Sequence, residues 1–117
     1  MTLHDRFGIA VLLVAVVAAV AAVLVSFVTP RYARLVKRLL RFMPLVVGVQ
    51  VVLGLVLVAT GSRPAQLLHW FYGAAVLLTM PLALSIGGRL GPSEERYWVA
   101  GGAVITVLFA LRAIATG

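Results

Sequence analysis

Residues 7–28 read FGIAVLLVAVVAAVAAVLVSFV, an apolar run without a single charged side chain. At a rise of 1.5 Å per residue, about 20 such residues in a helix cross the hydrocarbon core of a bilayer. Three more runs of this kind follow along the chain, over residues 42–60, 67–86 and 97–117, and only the last holds a charge, Arg112. The chain is therefore predicted to cross a membrane four times as α-helices.

The composition of the whole chain agrees with a membrane protein. Of its 117 residues, 63% are hydrophobic and 11% are charged, and the mean hydropathy is +1.15. Soluble domains are about half apolar and about a quarter charged. The net charge of +7 flanks the apolar runs, so we ascribe it to membrane topology and not to nucleic-acid binding. The absence of cysteine excludes disulfides, iron–sulfur clusters and thioether-attached haem.

The predicted fold class is an all-α membrane protein, an antiparallel up-down four-helix transmembrane bundle. We place its helices at about residues 5–29, 40–60, 66–87 and 94–116, within a single domain over residues 1–117. The connections are short, so neighbouring spans are expected to run antiparallel. The first and third spans then stand diagonally opposed.

Lysines and arginines divide unequally between the two ends of the predicted bundle. Seven lie in the connections after the first and third spans: Arg31, Arg34, Lys37, Arg38, Arg41, Arg89 and Arg96. Three lie at the other end: Arg6, Arg63 and Arg112. The positive-inside rule therefore predicts a multi-pass protein of the cell membrane, with the seven charges in the cytoplasm and both termini outside.

The longer cytoplasmic connection has a pattern of its own. Apolar and basic residues alternate at roughly helical spacing over residues 31–41. Two interpretations are open: a helix that lies on the membrane surface and touches anionic lipid, or the first turn of the second span.

The two histidines of the chain, His4 and His69, lie at the start of the first and third spans. Each has an aromatic residue at +3 and a glycine at +4, Gly8 and Gly73. Each glycine lies on the histidine's helix face one turn deeper, where the lack of a side chain lets a flat macrocycle approach the backbone. Because the histidines share one depth on opposed helices, we predict that they bind one b-type haem as axial ligands. The alternative is a pair of interfacial histidines without a ligand, with glycines that serve helix packing.

Three further polar residues are predicted near this site. Arg112, the one charge within an apolar run, and Arg63 are the predicted partners of the haem propionates. Arg112 has an equal alternative, extension of its side chain to the outer interface. Gln50 lies near the middle of the second span, where its amide must face protein or cofactor. We expect it to approach the cofactor or to hydrogen bond another helix.

Short motifs in the chain resemble those of the haem A synthase family. They are, in chain order, residues 50–54 (QVVLG), 60–61 (TG) and 68–69 (LH). That family has a Gln-x-x-Leu-Gly helix, a Thr-Gly turn and a helix that opens with a haem-ligand histidine. His4 with Arg6 and the basic run 31–41 fall where the family has its other ligand helix and a basic loop. The resemblance covers about residues 3–86 and implies one four-helix half of an enzyme with two such halves.

The resemblance also implies a chemistry, the oxidation of a methyl group of haem O to make haem A. Our first hypothesis is a b-type haem protein that transfers electrons or serves a neighbouring respiratory oxidase. The second is an enzyme, a minimal haem A synthase that acts on haem O as a homodimer. The third is a small membrane subunit or scaffold without haem. Catalytic residues are not assigned, and the lipid bilayer is the partner that all three share.

Overall fold

The computed structural model of the chain describes residues 2–64 and 66–117. Its elements, in order, are α1 (Leu3–Phe27), a 3-10 turn (Pro30–Tyr32), α2 (Ala33–Leu40), α3 (Met43–Ala59), α4 (Leu68–Leu90) and α5 (Pro92–Thr116). Four segments are long and apolar enough to cross a membrane: Leu3–Phe27, Pro30–Ala59, Leu68–Leu90 and Pro92–Thr116. The predicted all-α fold with four candidate membrane spans is confirmed.

The four long helices form a ring in which each packs mainly against two others. Helices α4 and α5 pack together most extensively, and α1 packs on α5. Helix α3 closes the ring through lighter contacts with α1 and α4. The first and third spans, α1 and α4, are therefore diagonally opposed, as predicted from the short connections.

Small side chains line the closest seams between helices. On α1 the buried residues Ala15, Ala19 and Ala22 form one stripe along the helix. Between α4 and α5 the backbones approach so closely that a Cβ atom added to Gly102 would lie 2.5 Å from the Cβ atom of Ala83. Lipid is as apolar as these helices, so close van der Waals packing of small residues replaces the hydrophobic effect as the force between them.

Several helix ends differ from the boundaries predicted from sequence. Helix α1 begins at Leu3, not near residue 5, because Thr2 and Asp5 cap it reciprocally: the Thr2 hydroxyl accepts from the Asp5 N–H at 3.1 Å, and the Asp5 carboxylate accepts from the Thr2 N–H at 3.0 Å. Between α4 and α5 only Gly91 remains, with φ of 111°, a conformation that suits glycine. The connection predicted over residues 88–93 is therefore a single residue.

The segment that precedes α3 within the candidate span Pro30–Ala59 is a short helix of its own, α2, and not a loose connection. Helix α2 ends at Leu40, which is 2% exposed and packs in the same core cluster as Met43 at the start of α3. The Lys37 ammonium bonds the Glu95 carboxylate of α5 at 2.5 Å. These contacts hold α2 against the end of the bundle, and α3 begins at residue 43 instead of about 40.

Candidate functional site

The two histidines meet at one end of the bundle. His4 lies in the first turn of α1 and His69 in the first turn of α4, and their ring centroids are 6.0 Å apart. The ring planes make an angle of 76°, and both residues are half-buried. The fold thus brings together two imidazoles that are 65 positions apart (69 − 4) in the chain.

A backbone carbonyl orients the His69 ring. Its Nδ1 atom lies 2.7 Å from the carbonyl oxygen of Ala113 on α5. Because a carbonyl only accepts, Nδ1 must carry the hydrogen, and in the neutral ring Nε2 then keeps its lone pair. This is the arrangement by which metal-binding histidines are usually held. Gly117 packs on the same edge of the ring, where an added Cβ atom would lie 2.8 Å from Cε1 and 2.9 Å from Nδ1.

The His4 ring packs against a glycine of another helix. A Cβ atom added to Gly54 on α3 would lie 3.0 Å from the His4 Cε1 atom and 3.4 Å from its Nδ1 atom. The Nδ1 atom is buried and has no hydrogen-bond partner among the residues that the structure describes. His4 therefore holds an unpaired polar atom in a ring whose centroid lies 6.0 Å from that of His69.

Gln50 connects α3 to the backbone beside this ring. Its Nε2 atom donates a hydrogen bond of 2.9 Å to the carbonyl oxygen of His4. Gly8 makes room for this amide, since a Cβ atom there would lie 2.9 Å from Nε2. The other amide atom, Oε1, is buried and unpaired within the described part of the chain. The space that we predicted for a macrocycle at Gly8 is thus taken by the Gln50 side chain.

The remaining predicted site residues lie at the same end of the bundle. Around Gly73, no other described atom lies within 4 Å of an added Cβ position, so space is open one turn below His69. The guanidinium carbon of Arg112 lies 5.5 Å from the centre of the Tyr72 ring, and its side chain is exposed. Arg63 is exposed in the turn after α3.

Comparisons with known proteins identified no relative of this chain. No protein-family model, curated protein or solved structure matches this chain. Within residues 2–64 and 66–117, no group of three or more His, Cys, Asp or Glu side chains could hold a metal ion. A pair of imidazoles suits a metal whose remaining ligands come from a macrocycle.

Three residues of this site were not identified from the sequence: Gly54, Ala113 and Gly117. Gly54 could have been identified from the sequence, because it lies one turn from Gln50 on the same helix face. Ala113 acts through its carbonyl group and Gly117 through the absence of a side chain. Every residue has a carbonyl, so no sequence pattern marks the one that will meet a histidine.

Proposed function

We propose that this chain is an integral membrane protein that binds one b-type haem between His4 and His69 and transfers electrons. The observation that carries the proposal is the 6.0 Å separation of the two imidazole centroids. Two imidazoles that bound one metal through bonds of about 2 Å would have their ring centroids about 6 Å apart.

The environment of each imidazole supports axial ligation. In His69 the hydrogen bond to Ala113 leaves Nε2 as the free donor atom. In His4 one ring nitrogen is buried without a partner, a costly state unless another group binds the ring. Gly54 lets the His4 ring approach α3 closely, and the open space at Gly73 lies one turn below His69. Arg112, next to Ala113 in the chain, is the proposed partner of a propionate.

Haem supplies one-electron chemistry when it is bound. With His4 and His69 both as ligands, a bound haem would keep no metal position open to a small molecule. This favours an electron carrier over an enzyme that activates oxygen at the metal. The positive-inside rule orients the protein, because the end that holds α2 has seven lysines and arginines and the end that holds the histidines has three. The proposed site therefore faces the outer side of the cell membrane.

An absorption spectrum of the purified protein tests the proposal. After expression with sufficient haem, we expect the chemically reduced protein to show a Soret band and an α band. The His4→Ala and His69→Ala variants should both lose these bands. The exposed-face variant Leu13→Ala serves as the matched control, because Leu13 is 61% exposed on α1 and distant in sequence from the site. A colourless wild-type protein with intact helical circular dichroism would overturn haem binding. Pigment extraction distinguishes the enzymatic alternative: haem A formed from supplied haem O would show a haem A synthase, whereas unchanged haem b supports an electron carrier.

A further inference from the structure

A stripe of arginines runs along the basic end of the molecule, on α2 and its flanks. The four are spaced by three, four and three positions, which places them on one side of a helix, and all are exposed: Arg31, Arg34, Arg38 and Arg41. Lys37, which lies between them in the chain, is bonded to Glu95. None of the four arginines forms a salt bridge within residues 2–64 and 66–117. The stripe is thus a positive surface without a protein counter-charge in the described chain.

An apolar stripe lies beside the arginines on the same short helix. Leu35 and Leu39 are 54% and 59% exposed, and Phe42, which follows α2, is 57% exposed. A third face, with Leu40 at 2% exposure, packs on the bundle. A helix that exposes apolar and cationic side chains together is suited to the boundary between lipid headgroups and acyl chains.

A groove continues this surface between α3 and α4, the pair of helices that pack lightly. Its volume is about 260 Å³, and it is lined by Arg41, Pro44, Pro81, Leu84 and Ser85. Arg41 and Ser85 supply a guanidinium group and a hydroxyl, and the other three side chains are apolar. A guanidinium group binds two oxygens of one phosphate at once, and a hydroxyl adds a further hydrogen-bond donor. The lining of the groove therefore complements a phospholipid, with polar groups for a phosphodiester and apolar side chains for an acyl chain.

We propose that this surface binds an anionic phospholipid, with the phosphate on Arg41 and Ser85 and an acyl chain along Leu84 and the two prolines. The other arginines of the stripe attract further anionic headgroups to the rim. Charge complementarity selects the occupant, because a zwitterionic lipid leaves four arginines without a net counter-charge. The inference is independent of haem, since the groove and the histidines lie at opposite ends of the bundle.

Native mass spectrometry of the full chain tests this proposal. The protein is purified in mixed micelles that hold equal amounts of phosphatidylglycerol and phosphatidylcholine, and the lipid retained on each protein molecule is counted. We expect retention of phosphatidylglycerol in clear excess. Each arginine near an anionic surface contributes about a fivefold preference, so the Arg38→Gln/Arg41→Gln double variant is expected to lose roughly 25-fold. The control is Arg63→Gln, which removes an exposed arginine from the opposite end and should retain phosphatidylglycerol like the wild type.

Three results would overturn the proposal. Equal retention of the two lipids by the wild type would show that charge does not select the occupant. An equal loss in Arg63→Gln would assign the effect to net charge and not to this surface. Displacement of the lipid by inorganic phosphate at an equal concentration would make the site one for free phosphate. Helical circular dichroism of the double variant verifies folding, and the single variant Ser85→Ala, which keeps all charges, should still lower retention of phosphatidylglycerol.

Discussion

The contact between Gly54 and the His4 ring allows a sharp test of the proposed haem site. An alanine at position 54 places its Cβ atom 3.0 Å from the His4 Cε1 atom. Carbon atoms in favourable contact lie about 3.5–4.0 Å apart, so the ring must retreat by about half an ångström or more. Gly48 provides the matched control on the same helix, because no described atom lies within 4 Å of its Cβ position.

The expected loss of haem affinity depends on whether the His4 ring can move away from residue 54. Without haem, the half-buried His4 side chain can rotate away, and both alanine variants gain about 0.5–1 kcal/mol from the better helix propensity of alanine. With haem, the ring would be held by its bond to the metal, and overpacking of this kind costs about 1–3 kcal/mol. We therefore expect Gly54→Ala to weaken haem binding by about 5- to 150-fold relative to Gly48→Ala.

Titration of the haem-free protein with haem, followed at the Soret band, measures this difference. Unfolding in a graded detergent mixture, followed by helical circular dichroism, measures the stability of each haem-free variant. We expect similar stability for both variants and a weaker haem affinity for Gly54→Ala alone. Equal haem affinities of the two variants would refute the reasoning, because the His4 ring would then not need the space that Gly54 provides.

Two further predictions concern the seam between α4 and α5 and the charge near the site. Gly102→Ala places a Cβ atom 2.5 Å from that of Ala83, so we expect a loss of about 1–3 kcal/mol in the free energy of unfolding. The control is Gly101→Ala, which has open space around its Cβ position and should be neutral or stabilising. Equal effects of the two variants would contradict the close approach of the helices. Arg112→Gln removes a positive charge that favours reduced over oxidised iron, so the midpoint potential in a redox titration should fall by an amount on the order of tens of millivolts. An unchanged potential would assign Arg112 to the membrane interface.

The number and type of the long helices could be predicted from sequence because their cause is local. A segment in lipid must satisfy its backbone hydrogen bonds within itself, so a charge-free run of about 20 residues forms a helix whatever surrounds it. Short connections then order the helices in a ring, and that order places His4 and His69 at the same end. Helix length and direction therefore predict that the two rings share one end of the bundle, but not that they face each other.

The rotation of each helix about its axis was decided only by the tertiary structure. Each residue turns a helix by about 100°, and the seams of small residues such as Ala15 and Gly102 set which side faces inward. The sequence paired each histidine with the glycine four residues later, but in the fold His4 packs on Gly54 and Gln50 occupies the space at Gly8. The same rotation brings the Ala113 carbonyl to His69. Length and hydropathy determine that helices exist, whereas packing between them determines which atoms meet.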